Sequence, residues 1–184
     1  MFYASGKIIF MYYIVGLGNP GEEYELTRHN TGRLALADFA KKKERKNIKL
    51  IFPDTFMNKS GLALKPIIKS KKMAEHLIVV HDDLDLPLGR FKIVFGKDSA
   101  GHKGAESVMR NIKTKDFIRI RVGISPTTPT GKIKKPPAEK VIAHIIGKFK
   151  PAELKIVSKL SKKITSAIEI IMKDGLQKAM SLYN

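Results

Sequence analysis

The sequence contains no cysteine. A disulfide framework, a cysteine-ligated zinc site and a thiol nucleophile are therefore excluded, and the chain is compatible with the cytoplasm, the compartment expected for it. Long apolar runs are also missing. The longest, Ile8 to Val15, falls far short of the ~20 residues a spanning helix needs, so no membrane role is expected. Lys7 followed by that run imitates a secretory signal. What comes next is Gly16-Leu17-Gly18-Asn19-Pro20-Gly21, a turn sequence and not a small-residue cleavage site. Acidic residues are scarce, with 17 Asp+Glu against 35 Lys+Arg and a formal net charge of +18. That excess points to a polyanionic partner, although a lysine-rich surface kept for solubility would carry the same charge. With 43% hydrophobic residues the chain can bury a core, which excludes wholesale disorder.

Alternating elements fill the rest. Tyr12 to Val15, Ile48 to Phe52, Leu77 to His81, Phe91 to Phe95 and Phe117 to Ile124 read as strands. The apolar run at Leu77 suits a sheet buried on both faces. Helices are expected over Asn30 to Lys43, from Ser60 or Gly61 to Ser70 despite Pro66, and from Gly104 to Asn111. Val141 to Ile146 fits a strand or a short helix. Pro151 to Lys173 is the strongest helix, with Val157, Leu160, Ile164, Ile168 and Ile171 at spacings of three and four and Asp174-Gly175 as its stop. Alternation of this kind predicts one three-layer α/β domain, a twisted mixed and largely parallel sheet flanked by helices. Residues 11–184 form that domain and residues 1–10 read as an N-terminal extension, since Met11 is itself a plausible start.

Four polar clusters lie in turns or beside strand ends. Gly16 to Gly21 lacks the later glycine spacing and the acidic ribose ligand of a dinucleotide site, and no P-loop is present. Thr27-Arg28-His29-Asn30-Thr31-Gly32 puts a histidine at the expected N-terminus of a helix, where the macrodipole favours the neutral imidazole that can accept a proton. Phe56-Met57-Asn58-Lys59-Ser60-Gly61 sets an amide beside two large apolar side chains, as a pocket for a carbonyl or peptide group would, or as a helix cap would. His81-Asp82-Asp83-Leu84-Asp85 leaves the C-terminal end of a buried strand, where open α/β sheets bind ligands. Its carboxylates suit a magnesium ion, a base-orienting role or simple turn chemistry. The 5 histidines are scattered, and no spacing supports zinc.

Taken together these strings, from Tyr13-Ile14-Val15 through Tyr24, with Ser99-Ala100-Gly101-His102-Lys103-Gly104, Arg119-Ile120-Arg121-Val122-Gly123-Ile124 and Val141 to Phe149, resemble the bacterial-type peptidyl-tRNA hydrolases. The likeness runs from about Tyr12 to the last helix. It implies enzymatic hydrolysis of the ester joining a peptide to the 3′-terminal ribose of tRNA without a cofactor or metal, and a monomer is expected. By the same resemblance His29 is the general base, Asp82 orients it, and Asn19 and Asn58 position the substrate by amide hydrogen bonds. Tyr24 is a further substrate- or tRNA-binding candidate, and Phe56 and Met57 fall at the peptide side of the cleft, with a core role equally open for either. Lys97 and Arg121 are candidates for clamping the 5′-terminal phosphate of the tRNA. Thr130 to Lys163, with ten Lys and two Glu, and Lys41 to Lys49 are candidate tRNA faces.

Two departures stand out. The family usually reads Gly-Gly-His-Asn-Gly where this chain has Gly101-His102-Lys103-Gly104. One glycine is missing and Lys103 fills the Asn position, where it can donate but not accept. Only 28 residues separate His29 from Asn58, which predicts a sheet lacking one edge strand. A non-catalytic RNA-binding protein of the same fold, like relatives acting in plastid splicing, is the alternative. Retention of His29, Asp82, Asn19 and Asn58 favours catalysis.

Overall fold

The structure, a computed structural model, describes residues 2–4, 7–42 and 46–184. Part of the N-terminal extension and the Lys43-Glu44-Arg45 stretch of the basic run therefore lie outside the described residues. Strands β1 (Phe2–Ala4) and β2 (Lys7–Ile9) pair antiparallel. The main sheet comprises β3 (Tyr12–Gly16), β4 (Ile48–Ile51), β5 (Leu77–Pro87), β6 (Phe91–Phe95) and β7 (Ile118–Ser125). Their order is β4-β3-β5-β7-β6, parallel throughout except for β6, which runs antiparallel to β7. The short β4 closes one edge, and among the described residues no strand pairs beyond it.

Side chains alternate across the sheet as strand geometry requires. Ile14, Ile78, Val80, Ile120 and Val122 face one core. That core is covered by α1 (Thr31–Ala35), α2 (Ala37–Ala40), α7 (Pro151–Asp174) and α8 (Leu176–Tyr183). Val15, Leu77, Val79 and Phe117 face the other. There α3 (Ser60–Leu64), α4 (Lys71–Ala74) and α5 (Lys103–Ile112) supply Leu64, Ala74 and Val108. The result is the expected three-layer α/β arrangement. Burial of α7 is concentrated in Leu160, Ile164, Ala167, Ile168 and Ile171, the stripe read from the sequence.

Three elements differ from expectation. The helix expected over Asn30 to Lys43 opens with a 3₁₀ turn, Arg28–Asn30, and breaks at Leu36 into α1 and α2. The break has a partner: the Asp38 N–H, which an unbroken helix would direct to Leu34, donates to Ser161 Oγ of α7 at 3.0 Å. Helix α3 stops at Leu64, ahead of Pro66, instead of running to Ser70. Strand β5 continues past His81 to Pro87 and stays buried through Asp83. Val141–Ile146 forms the short helix α6.

One glycine decides how closely α1 approaches the sheet. A Cβ on Gly32 would lie 2.2 Å from Val80 O and 2.6 Å from the Leu17 backbone. Only hydrogen fits there, so the turn carrying His29 sits directly on the ends of β3 and β5.

Candidate active site

The parallel strands β3, β5 and β7 end on the same side, and the polar clusters converge there. Asp82 is 3% exposed on β5. His29 Nδ1 lies 3.0 Å from Asp82 Oδ1 and 3.1 Å from Oδ2. His102, the residue preceding α5, accepts the Ala105 N–H on Nδ1 at 3.1 Å, which caps the helix. Its proton must therefore sit on Nε2, and that N–H donates to Asp82 Oδ1 at 2.8 Å. One carboxylate thus receives two imidazole N–H groups.

Electrostatics follow from this geometry. Burial acts to raise the pKa of Asp82, but His102 and His29 outweigh it and hold the carboxyl far below its ordinary range. Burial acts to lower the pKa of His29, but the charge and hydrogen bond of Asp82 overcome it and leave the pKa raised. A helix N-terminus alone would favour a neutral His29. Here a single 3₁₀ turn supplies little dipole, and the adjacent carboxylate dominates. Asp82 fixes the proton on Nδ1, so Nε2 is the nitrogen left open to accept another. Donor atoms of His29, Asp82 and His102 lie within 4.8 Å of one another. Hydrogen bonds account for that spacing, and the Nδ1 lone pair of His102 is already taken by the Ala105 N–H.

Asn19 is held on three sides. Its N–H donates to Asn30 Oδ1 at 2.8 Å, and Asn30 Nδ2 donates back to Asn19 O at 2.9 Å. The Met57 N–H donates to Asn19 Oδ1 at 2.8 Å. The acceptor end of the Asn19 amide is thereby occupied, and its NH₂ end meets no acceptor among the described residues. Met57 itself is 4% exposed and belongs to the core, so it reaches the site through its backbone. Phe56 is 54% exposed, and Tyr24 packs edge-on against it with ring centroids 6.3 Å apart.

A cleft of about 310 Å³ is lined by His29, Asp82, Asp83, Gly101, His102 and Lys103, with Val141, Ile142 and Ile145 of α6 as an apolar wall. A second, of about 470 Å³, is lined by Asn19, His29, Phe56, Met57, Asn58, Lys59 and Lys103. His29 and Lys103 belong to both and stand between them. The Lys103 side chain is 71% exposed and its Nζ lies 3.2 Å from Glu106 Oε2. The missing glycine has a conformational trace: Ala100, just before Gly101, holds φ +53°, in the left-handed region.

Lys97 and Arg121 line neither cleft. Arg121 is ion-paired to Asp83 and lies 3.8 Å from Asp85, so its charge is used within the fold. The sequence reading overlooked Arg28 and His102. Arg28 donates to Glu153 Oε1 and Oε2 at 3.1 and 2.9 Å and to Gly147 O at 3.2 Å, tying the His29 turn to the start of α7. The sign of His102 is its place just before the amphipathic helix α5, the capping position. Lys148, Lys150, Lys155, Lys159, Lys162 and Lys163 are exposed, as a basic face requires.

Residues 13–184 match the family model described as peptidyl-tRNA hydrolase. A curated peptidyl-tRNA hydrolase of Thermodesulfovibrio yellowstonii is 38% identical, covering 95% of this chain and 99% of that protein. Another, of Trichodesmium erythraeum, is 33% identical over 98% of this chain and 91% of its own. The crystal structure of peptidyl-tRNA hydrolase from Acinetobacter baumannii superposes with a TM-score of 0.79 at 27% identity, covering 96% of each chain.

Proposed function

The chain belongs to the peptidyl-tRNA hydrolase family, and from that premise we propose how it cleaves the ester between a peptide and the 3′-terminal ribose of tRNA. One observation carries the mechanism: Asp82 holds the Nδ1 side of His29, leaving Nε2 open at the boundary of two clefts. A water molecule at that boundary loses its proton to His29 Nε2 as its oxygen attacks the ester carbonyl. Negative charge growing on the carbonyl oxygen is met by the free NH₂ of Asn19. The bond from carbonyl carbon to ribose oxygen then breaks, and the imidazolium returns its proton to that oxygen. The products are the peptide acid and tRNA with a free 3′ end. Each step draws on side chains and water alone.

Positioning falls to the neighbouring residues. Asn58, exposed on the second cleft, holds the substrate's terminal carbonyl or ribose, while Tyr24 and Phe56 flank the peptide. Lys103 contacts the terminal ribose–phosphate, for which it must leave Glu106. Lys97, exposed on the loop before His102, and Arg121, paired through Nε to Asp83, are the contacts for the tRNA 5′-terminal phosphate. The lysines between Thr130 and Lys163 track the tRNA backbone, with Lys41 to Lys49 as a second patch. Residues 11–184 work as one unit, as a monomer in the cytoplasm; among the described residues no helix is long and apolar enough to cross a membrane.

The test is release of labelled peptide from peptidyl-tRNA. His29→Ala should lose turnover by about 10²- to 10⁴-fold, the usual worth of a general base, while tRNA binding persists. Undiminished turnover would remove His29 from the mechanism, and tRNA binding without turnover by the wild-type chain would favour the non-catalytic RNA-binding reading.

A further inference from the structure

Arg119 is 1% exposed, yet the hydrolytic scheme gives it no part. Its position on β7 puts it beside β5 on the face that carries His81. Arg119 Nη2 donates to Lys97 O at 2.9 Å and Asp98 O at 2.6 Å. Its Nη1 lies 3.3 Å from His81 Nε2. A guanidinium has no acceptor, so His81 Nε2 must be the acceptor and the His81 proton must sit on Nδ1. That Nδ1–H donates to Asp82 O at 2.7 Å. The His81 ring in turn packs on His102, with centroids 4.3 Å apart.

The three imidazoles around Asp82 therefore differ in one respect. His102 has its unprotonated nitrogen taken by the Ala105 N–H, and His81 has its own taken by Arg119. Protonating either would break an existing hydrogen bond and place a cation beside another donor. Only His29 keeps its second nitrogen unengaged by any described residue.

We propose that Arg119 is a positioning residue for hydrolysis: it locks His81 in one neutral tautomer and pins the loop leading to His102, so that His29 Nε2 is the one imidazole nitrogen at Asp82 open to a proton. The proposal rests on the hydrolytic reading above. The charged groups around the pair are Asp82 and His102 next to His81, and Arg121, Asp83 and Asp98 next to Arg119. Burial together with His102 and Arg119 holds the pKa of His81 well below its ordinary value. Burial and the neighbouring Arg121 push that of Arg119 down to about 10, which still leaves it charged near neutrality.

Two measurements test this. In the wild-type chain, imidazole nitrogen NMR between about pH 5 and pH 9, a window spanning the ordinary histidine pKa, should show His81 as the Nδ1–H tautomer that does not titrate, His102 as the Nε2–H tautomer, and His29 titrating. A His81 that titrates in that window, or that carries its proton on Nε2, overturns the proposal whether or not any variant folds. In Arg119→Met, kcat on peptidyl-tRNA should fall by roughly 10-fold or more, a part of the 10²- to 10⁴-fold worth of the general base it helps to position, with KM nearly unchanged. The acid limb of its profile should steepen from one ionisation to two. Arg119→Lys, which can still donate to His81, should restore the single ionisation. A variant that is merely less stable, with an unaltered acid limb, would also overturn the proposal. Failure of the wild-type chain to cleave peptidyl-tRNA would instead defeat the hydrolytic reading, leaving the tautomer result to be judged separately.

Discussion

His29 Nδ1 and Asp82 Oδ1 are 3.0 Å apart, and both carboxylate oxygens of Asp82 are within reach of the same ring nitrogen. The contact joins residues from a turn and a strand that Gly32 brings together, and it fixes the ring's proton on the nitrogen that faces Asp82.

A pH dependence follows. A base must be neutral to act, and the pKa of His29 is raised, so kcat/KM should climb through a limb centred above the ordinary histidine value of 6.5. In Asp82→Asn both raising influences vanish while burial remains. The limb should move to lower pH, and the rate should fall by up to the ~10⁴-fold seen when the orienting carboxylate of a catalytic triad becomes an amide. A pH–rate profile of the two proteins checks this, and an unmoved limb would count against the pairing.

Stability should carry the same signature with a defined sign. The depressed pKa of Asp82 means that its charged form stabilises the fold above the ordinary Asp value of 3.8, and that this contribution disappears as pH falls through the native pKa. The raised pKa of His29 contributes below 6.5 and is lost as pH rises through the native value. Urea unfolding at several pH values should therefore find Asp82→Asn less stable than wild type at pH 5, with the gap narrowing towards acid.

Asn19 is oriented by the Met57 N–H, so its two ends are not equivalent. Asn19→Asp keeps the acceptor for Met57 but replaces the free NH₂ with an oxygen. Turnover should drop by about 10²- to 10³-fold, as when an oxyanion donor is removed elsewhere, with little change in thermal stability. Equal turnover in the two proteins would exclude Asn19 as the donor.

For Lys103 the expected readout is salt. Lys103→Asn removes one exposed cation that borders both clefts. If it meets a phosphate, the slope of log kcat/KM against log salt should become shallower by about one. An unchanged slope would assign Lys103 to its ion pair with Glu106 alone.

Ala100→Gly offers a check on the backbone. An L-residue in the left-handed region costs about 1–2 kcal/mol, and glycine returns about 0.5–1 kcal/mol of that as unfolded-state entropy. Ala100 sits at φ +53°, so the substitution should stabilise the chain by about 0.5–1 kcal/mol in chemical denaturation.

Much of this was legible in the sequence because it depends on local patterns. The stripe on α7 and the apolar run of β5 announced two central elements, and the quoted motifs named His29, Asp82 and Asn19. Tertiary contacts hid the rest. The Ser161 hydroxyl that breaks the first helix lies more than a hundred residues away, as does Glu153, the partner of Arg28. The sequence could list Arg121 as a cation but not reveal that Asp83 holds it. Nor could it distinguish Met57 as a core side chain from Met57 as a backbone donor, because those roles coexist.

The link between Arg28 and the start of α7 has a mechanical meaning. Arg28 N donates to Gly147 O at 3.1 Å and Phe149 N donates to Leu26 O at 2.9 Å, and the guanidinium grips the same corner through Glu153. The C-terminal end of α6 is thus stitched to the residue beside His29. The turn that carries His29 and the end of α6 share one anchor, so a strain applied to that wall of the cleft is delivered to the frame of the base.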